Sequence, residues 1–121
     1  MSGFLVSPSV ETDWRLDPDE FETRLRADWP EADVSPVETP ESIAAVQFVV
    51  PLEERLDGRF WRNGQVLELQ GRPEESAELA AWFRRIVPAE QELLFYDQGY
   101  EVHLPLTEET TASDIVTAAE G

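Results

Sequence analysis

The chain has 121 residues, of which 41% are hydrophobic and 10% aromatic, so it is long and apolar enough to bury a core as a single domain over residues 1–121. It has no cysteine and no apolar run near the ~18 residues of a membrane span, which excludes disulfide frameworks, thiol chemistry and a spanning helix. Twenty-six acidic residues oppose nine arginines and no lysine, and the net charge of −17 disfavours direct binding to nucleic acid or to an anionic membrane.

The N-terminal third predicts a short strand and then a helix. Residues 4–6 form an apolar run that ends before a Ser-Pro pair, which is typical of a strand. A helix is predicted over about residues 18–29, because Asp17 is a suitable N-cap, Pro18 fits the first helical position and Glu20 completes a capping box. Pro30 then ends the helix.

The next segment predicts an edge strand followed by a central strand. Residues 30–42 hold three prolines and four acids, and proline is tolerated at a sheet edge, so we expect a short edge strand around Pro36. Residues 43–50 (IAAVQFVV) are apolar, rich in β-branched side chains and followed by Pro51. This run predicts a central strand that is buried along much of its length.

The clearest local unit is a β-hairpin around Asn63-Gly64. This dipeptide lies between two alternating segments and predicts a two-residue type I′ turn. The turn sets the register, so that Arg59 lies opposite Glu68. Trp61 then shares the outer face of the hairpin with this ion pair.

The C-terminal half predicts a second helix, a second hairpin and a short final helix. Acidic residues begin and arginines end the predicted helix over about residues 73–87, which suits its dipole. A hairpin is expected around Asp97-Gln98-Gly99, with Tyr96 opposite Tyr100. This register places Phe95 on the outer face. A capping-box pattern at residues 111–114 predicts the last helix.

These elements together predict an α+β fold. We expect a two-layer sandwich, with one mostly antiparallel sheet of about five to seven strands and the two main helices on one of its faces. The short C-terminal helix completes the domain.

Several short runs resemble one group of proteins. These are residues 81–84 (AWFR), 86–88 (IVP), 94–100 (LFYDQGY) and 110–111 (TT), together with Trp29-Pro30 and Val34. They resemble small acidic proteins of high-GC Gram-positive bacteria that have no assigned activity. The resemblance implies a cytoplasmic bacterial protein, and it brings no catalytic residue with it.

The outward aromatic residues are the first candidates for a functional surface. Trp61 and Phe95 fall on outer faces by strand alternation, and an exposed apolar patch with charged neighbours is typical of an interaction surface. The alternative is that both rings are buried. With Trp61 and Phe95 we select Glu68, Glu101 and His103 as candidate binding residues.

The second candidate is a polar pocket around Glu101 and His103. These residues lie two apart on one strand, and a Glu–His pair is suited to acid–base work or to half of a metal site. The other ligands of a metal would all have to be carboxylates, because His103 is the only histidine and cysteine is absent. We therefore expect no metal, no cofactor and no catalytic residue.

The composition favours a binding protein over an enzyme. The hypothesis is a small acidic, cytoplasmic domain that recognises the basic surface of a protein partner, with carboxylates and aromatic rings as contacts. The alternative is a small-ligand binder or an enzyme with a pocket around Glu101 and His103, lined by Tyr96 or Tyr100.

Overall fold

The computed structural model describes residues 3–97, 99 and 101–120. The predicted α+β class is confirmed, with one seven-stranded antiparallel sheet and three helices among these residues. The strands are β1 (Gly3–Pro8), β2 (Asp33–Pro36), β3 (Ala44–Pro51), β4 (Arg55–Trp61), β5 (Leu67–Gln70), β6 (Leu93–Asp97) and β7 (His103–Leu106). The helices are α1 (Pro18–Asp28), α2 (Pro73–Ile86) and α3 (Ala112–Glu120).

The strand order in the sheet is β2-β3-β4-β5-β1-β6-β7. The first strand of the chain therefore lies inside the sheet, between β5 and β6, and it pairs antiparallel with both. The predicted edge strand around Pro36 is confirmed, because β2 is the first strand in the order. The predicted central strand is also present, but it begins at Ala44 rather than at Ile43, and the side chain of Ile43 is 50% exposed.

An aromatic cluster joins the first two helices to the sheet. The ring of Phe21 on α1 stacks on Phe60 of β4 with centroids 4.2 Å apart, and Phe83 on α2 lies 5.9 Å from the same Phe60 ring. All three rings are fully buried. We call the side of the sheet that bears Phe60 the core face, and the opposite side, which bears Arg59 and Glu68, the outer face.

The start of α2 is tied to the turn between β3 and β4. The Arg72 guanidinium donates to both carboxylate oxygens of Glu75, at 2.9 and 2.7 Å, and the Glu54 backbone N–H donates to the same carboxylate at 3.2 Å. These donors stabilise the charged form. Hydrogen bonding to Arg72 above all therefore holds the pKa of Glu75 below its ordinary value, although burial acts in the opposite direction.

The first hairpin has the predicted register but a different turn. Arg59 pairs with Glu68, as expected. The turn closes through a hydrogen bond of 3.0 Å from the Gly64 N–H to the Trp61 carbonyl, so its two central residues are Arg62 and Asn63. Gly64 follows them in the left-handed region, with φ of 75°. Its carbonyl also accepts from the Leu16 N–H at 2.8 Å.

The second hairpin has a different register from the predicted one. Tyr96 pairs with His103, and Tyr100 lies outside the described residues. The register is shifted by three residues because Asp97 ends β6 rather than forming the turn. Its side chain accepts from the backbone N–H groups of Glu101 and Val102, at 2.9 and 3.2 Å, and so closes a longer loop.

Candidate functional site

A buried carboxylate on the outer face, that of Glu68, accepts hydrogen bonds from Trp61, another of the predicted site residues, and from Arg59. Glu68 on β5 is only 7% exposed. Its Oε1 atom accepts from Trp61 Nε1 at 3.0 Å and from Arg59 Nε and Nη2 at 3.2 and 2.9 Å. Gln70 Nε2 lies 3.5 Å from the other oxygen of Glu68. The predicted proximity of Trp61 to the cross-strand ion pair is therefore confirmed, and the indole is fixed by a charged acceptor.

This cluster belongs to a row of side chains that crosses the whole sheet. The pairing register aligns one residue from each strand, all on the outer face: Ser35, Gln47, Arg59, Glu68, Leu5, Tyr96 and His103. Glu68 and His103 are three strand spacings apart in this row, or about 14 Å at ~4.8 Å per strand. The sheet thus places both predicted residues on one surface but does not bring them into contact.

Phe95 lies on the core face, so the prediction that it faces outward is wrong. Its ring is fully buried and stacks on Phe4, with centroids 5.0 Å apart. The physical reason is the register of the second hairpin. A shift by an odd number of residues moves one strand to the opposite face relative to the other. Phe95 therefore pairs with Leu104 rather than lying beside Glu101.

The outer face also carries a groove that the sequence did not reveal. Its volume is about 420 Å³, and Asp33, Asp57, Val49 and Gln70 line it together with Arg59 and Glu68. Asp57 is paired with Arg55 at 2.9 Å, whereas Asp33 is exposed and makes no hydrogen bond or ion pair with the described residues. The only signal for Asp33 was the alternation of the edge strand, because Val34 beside it is buried.

The surroundings of Glu101 and His103 are open. Glu101 lies in the turn before β7, and both side chains are exposed. His103 makes no hydrogen bond or ion pair with the described residues. Over residues 3–97, 99 and 101–120, no three His, Cys, Asp or Glu side chains are grouped so as to hold a metal ion. In the same part of the chain, each helix is too short or too polar to cross a membrane.

Comparisons with protein-family models, with curated proteins and with solved structures give no match to this chain.

Proposed function

We propose that this chain is a non-catalytic binding domain that recognises a partner protein with a basic surface. In this proposal the helices and the sheet form two layers, the helices cover the core face, and the outer face is the docking surface. The domain acts by steric and electrostatic complementarity, so it needs no cofactor.

The observation that carries the proposal is that most of the arginines already have ion-pair or hydrogen-bond partners within the chain. Five of the nine form ion pairs within the chain: Arg24–Glu20, Arg26–Glu22, Arg55–Asp57, Arg59–Glu68 and Arg72–Glu75. Three others, Arg15, Arg62 and Arg84, donate to backbone carbonyls. Most of the 26 carboxylates have no such partner within the described part of the chain, so an approaching molecule meets a negative surface.

The outer face supplies the other features of a docking surface. Trp61 is half-buried and fixed by Glu68, and a held aromatic ring loses little entropy when a partner covers it. In the groove, three carboxylates oppose two arginines, and Asp33 is the carboxylate that has no partner among the described residues. An added cationic side chain would balance this charge, which favours a basic partner.

The alternative pocket around Glu101 and His103 receives no support from this geometry. A general base or a metal ligand needs convergent polar groups and a site from which water is excluded. Both side chains are exposed, and His103 has no carboxylate within ion-pair distance among the described residues.

The test is capture from a native lysate of the source cell by the immobilised full chain, at ~0.05 and ~0.5 M salt, with mass spectrometry of the bound proteins. We expect one basic protein to be bound in stoichiometric amount at low salt and to be lost at high salt. Trp61→Ala and Asp33→Arg, both on the outer face, should each abolish its capture.

The matched control is Glu78→Arg, which makes the same charge change at an exposed position of α2. It should leave capture intact. If Glu78→Arg reduces capture as much as Asp33→Arg does, the outer face is not the docking surface. If only background proteins are bound by the wild type at both salt concentrations, the proposal is wrong.

A further inference from the structure

A second cleft collects three of the nine arginines. It lies where the C-terminal end of α2 meets α1 and the loop after β7, and its volume is about 580 Å³. Its lining residues are Arg24, Arg84, Arg85, Ile86, Val87, Pro88, Ala89 and Glu108. We propose that this cleft is a binding site for a small phosphate-type oxyanion.

Arg84 forms the buried part of the cleft. It is 4% exposed, and its two terminal nitrogens donate only to backbone carbonyls, with the shortest distance, 2.6 Å, to Pro88. Its Nε is buried and has no hydrogen-bond partner among the residues that the structure describes. Arginine remains protonated in proteins, so this is a buried cation with no carboxylate bound to it. Burial lowers the pKa of Arg84, while Glu108 and Glu90 oppose that effect from a distance.

The other two arginines have donors that are available to a ligand. Arg85 is exposed and makes no hydrogen bond or ion pair with the described residues. Arg24 is half-exposed, and its Nε lies 3.6 Å from a carboxylate oxygen of Glu20. A charge-assisted hydrogen bond is ~2.7–2.9 Å long, so this pair is loose. Both guanidinium groups are therefore free to turn toward an anion in the cleft.

The local charge is close to balanced, although the whole chain is strongly acidic. The three arginines face Glu20, Glu90, Glu108 and the ~0.5 negative charge at the end of α2, so the repulsion of an anion by the rest of the chain is largely offset here. A tetrahedral phosphate presents oxygens in several directions, which suits guanidinium groups that approach from two helices. Arginine also binds such oxygens through two parallel hydrogen bonds.

The experiment is a titration of the full chain with inorganic phosphate, followed by amide chemical shifts at constant ionic strength. We expect saturable shifts confined to the amides of residues 24, 84–87, 89 and 108, with half-saturation below ~10 mM. Arg85→Ala should weaken binding about tenfold or more, because it removes a charge-assisted bond. Glu108→Gln should strengthen binding, because it removes the opposing charge.

The matched control for Arg85→Ala is Arg55→Ala, which removes one positive charge from a side chain that is 70% exposed on the outer face. It should leave phosphate binding unchanged. The proposal is overturned if the two variants lose affinity equally, if chloride at the same ionic strength gives the same shifts, or if Glu108→Gln does not increase affinity. Because Arg85 and Glu108 are exposed, both variants should fold.

Discussion

Replacing Trp61 by Phe and Glu68 by Leu, singly and together, measures the hydrogen bond that fixes the indole on the outer face. Phe keeps the aromatic ring but removes the N–H that lies 3.0 Å from Glu68 Oε1. A hydrogen bond to a charged group contributes ~1.5–3 kcal/mol to stability. The same oxygen also accepts two donors from Arg59, and Trp61 is half-buried. We therefore expect a coupling energy near the lower limit, about 1.5 kcal/mol.

The assay is urea unfolding of the four proteins, followed by far-UV circular dichroism so that the lost tryptophan does not change the signal. Glu68→Leu also removes the Arg59 ion pair, but the double-mutant cycle cancels that contribution. A control cycle combines Trp61→Phe with Glu78→Leu, at a distant exposed site of α2, and should give a coupling within ~0.5 kcal/mol of zero. If the coupling between Trp61 and Glu68 is no larger than this control, the carboxylate does not fix the indole.

Three further predictions concern the fold. Phe21→Ala should lower the free energy of unfolding, measured by urea denaturation, by about 3–5 kcal/mol, because it leaves a cavity in the aromatic cluster. The control Val10→Ala, at a position that is 55% exposed, should change this free energy by less than ~0.5 kcal/mol. Gly64→Ala should cost about 1–3 kcal/mol, because φ is 75° and the new Cβ would lie 2.7 Å from a backbone oxygen; an unchanged melting temperature would contradict this. The lowered pKa of Glu75 stabilises the fold above the ordinary pKa of a glutamate, near 4.3, and this contribution is lost as the pH falls through the lowered value. Glu75→Gln should therefore show a shallower loss of stability in acid unfolding below about pH 4.3, and an unchanged slope would refute the linkage.

Local signals predicted the parts of the fold that depend on neighbouring residues. The Asn-Gly pair gave the register of the first hairpin correctly, although the turn closes over Arg62 and Asn63. Both turns lead to the pairing of Arg59 with Glu68, because in the structure the left-handed Gly64 follows the turn over Arg62 and Asn63 and returns the chain to that register. Pro18 and Pro73 likewise marked the first residues of α1 and α2.

The sequence did not predict the register of the second hairpin, where a side chain rather than the backbone accepts the hydrogen bonds that close the loop. Asp97 reads as a turn residue, but it ends β6 and closes the loop through its carboxylate. Because the prediction treated Asp97 as part of the turn, it gave the wrong register for this hairpin and placed Phe95 on the outer face. The position of β1 between β5 and β6 also carries no local signal, since strand order depends on contacts between distant segments.

The candidate site was predictable only in part, for the same reason. Trp61 and Glu68 come from one hairpin, so alternation was sufficient to bring them together. The groove needs Asp33 from β2, and the arginine cleft needs Arg24 and Arg85 from two helices. Their proximity follows from packing rather than from spacing along the chain.

The place of β1 in the sheet has a consequence for how the protein is made. Residues 3–8 are synthesised well before their two hydrogen-bonding partners, residues 67–70 and 93–97. In the described sheet, β1 joins the four-stranded unit β2–β5 to the hairpin β6–β7, so β1 cannot complete its pairing until residues 93–97 have been synthesised. A chain that lacks these residues should leave two separate sheet edges exposed, and a synthetic peptide of the same sequence should bind between them and restore the sheet.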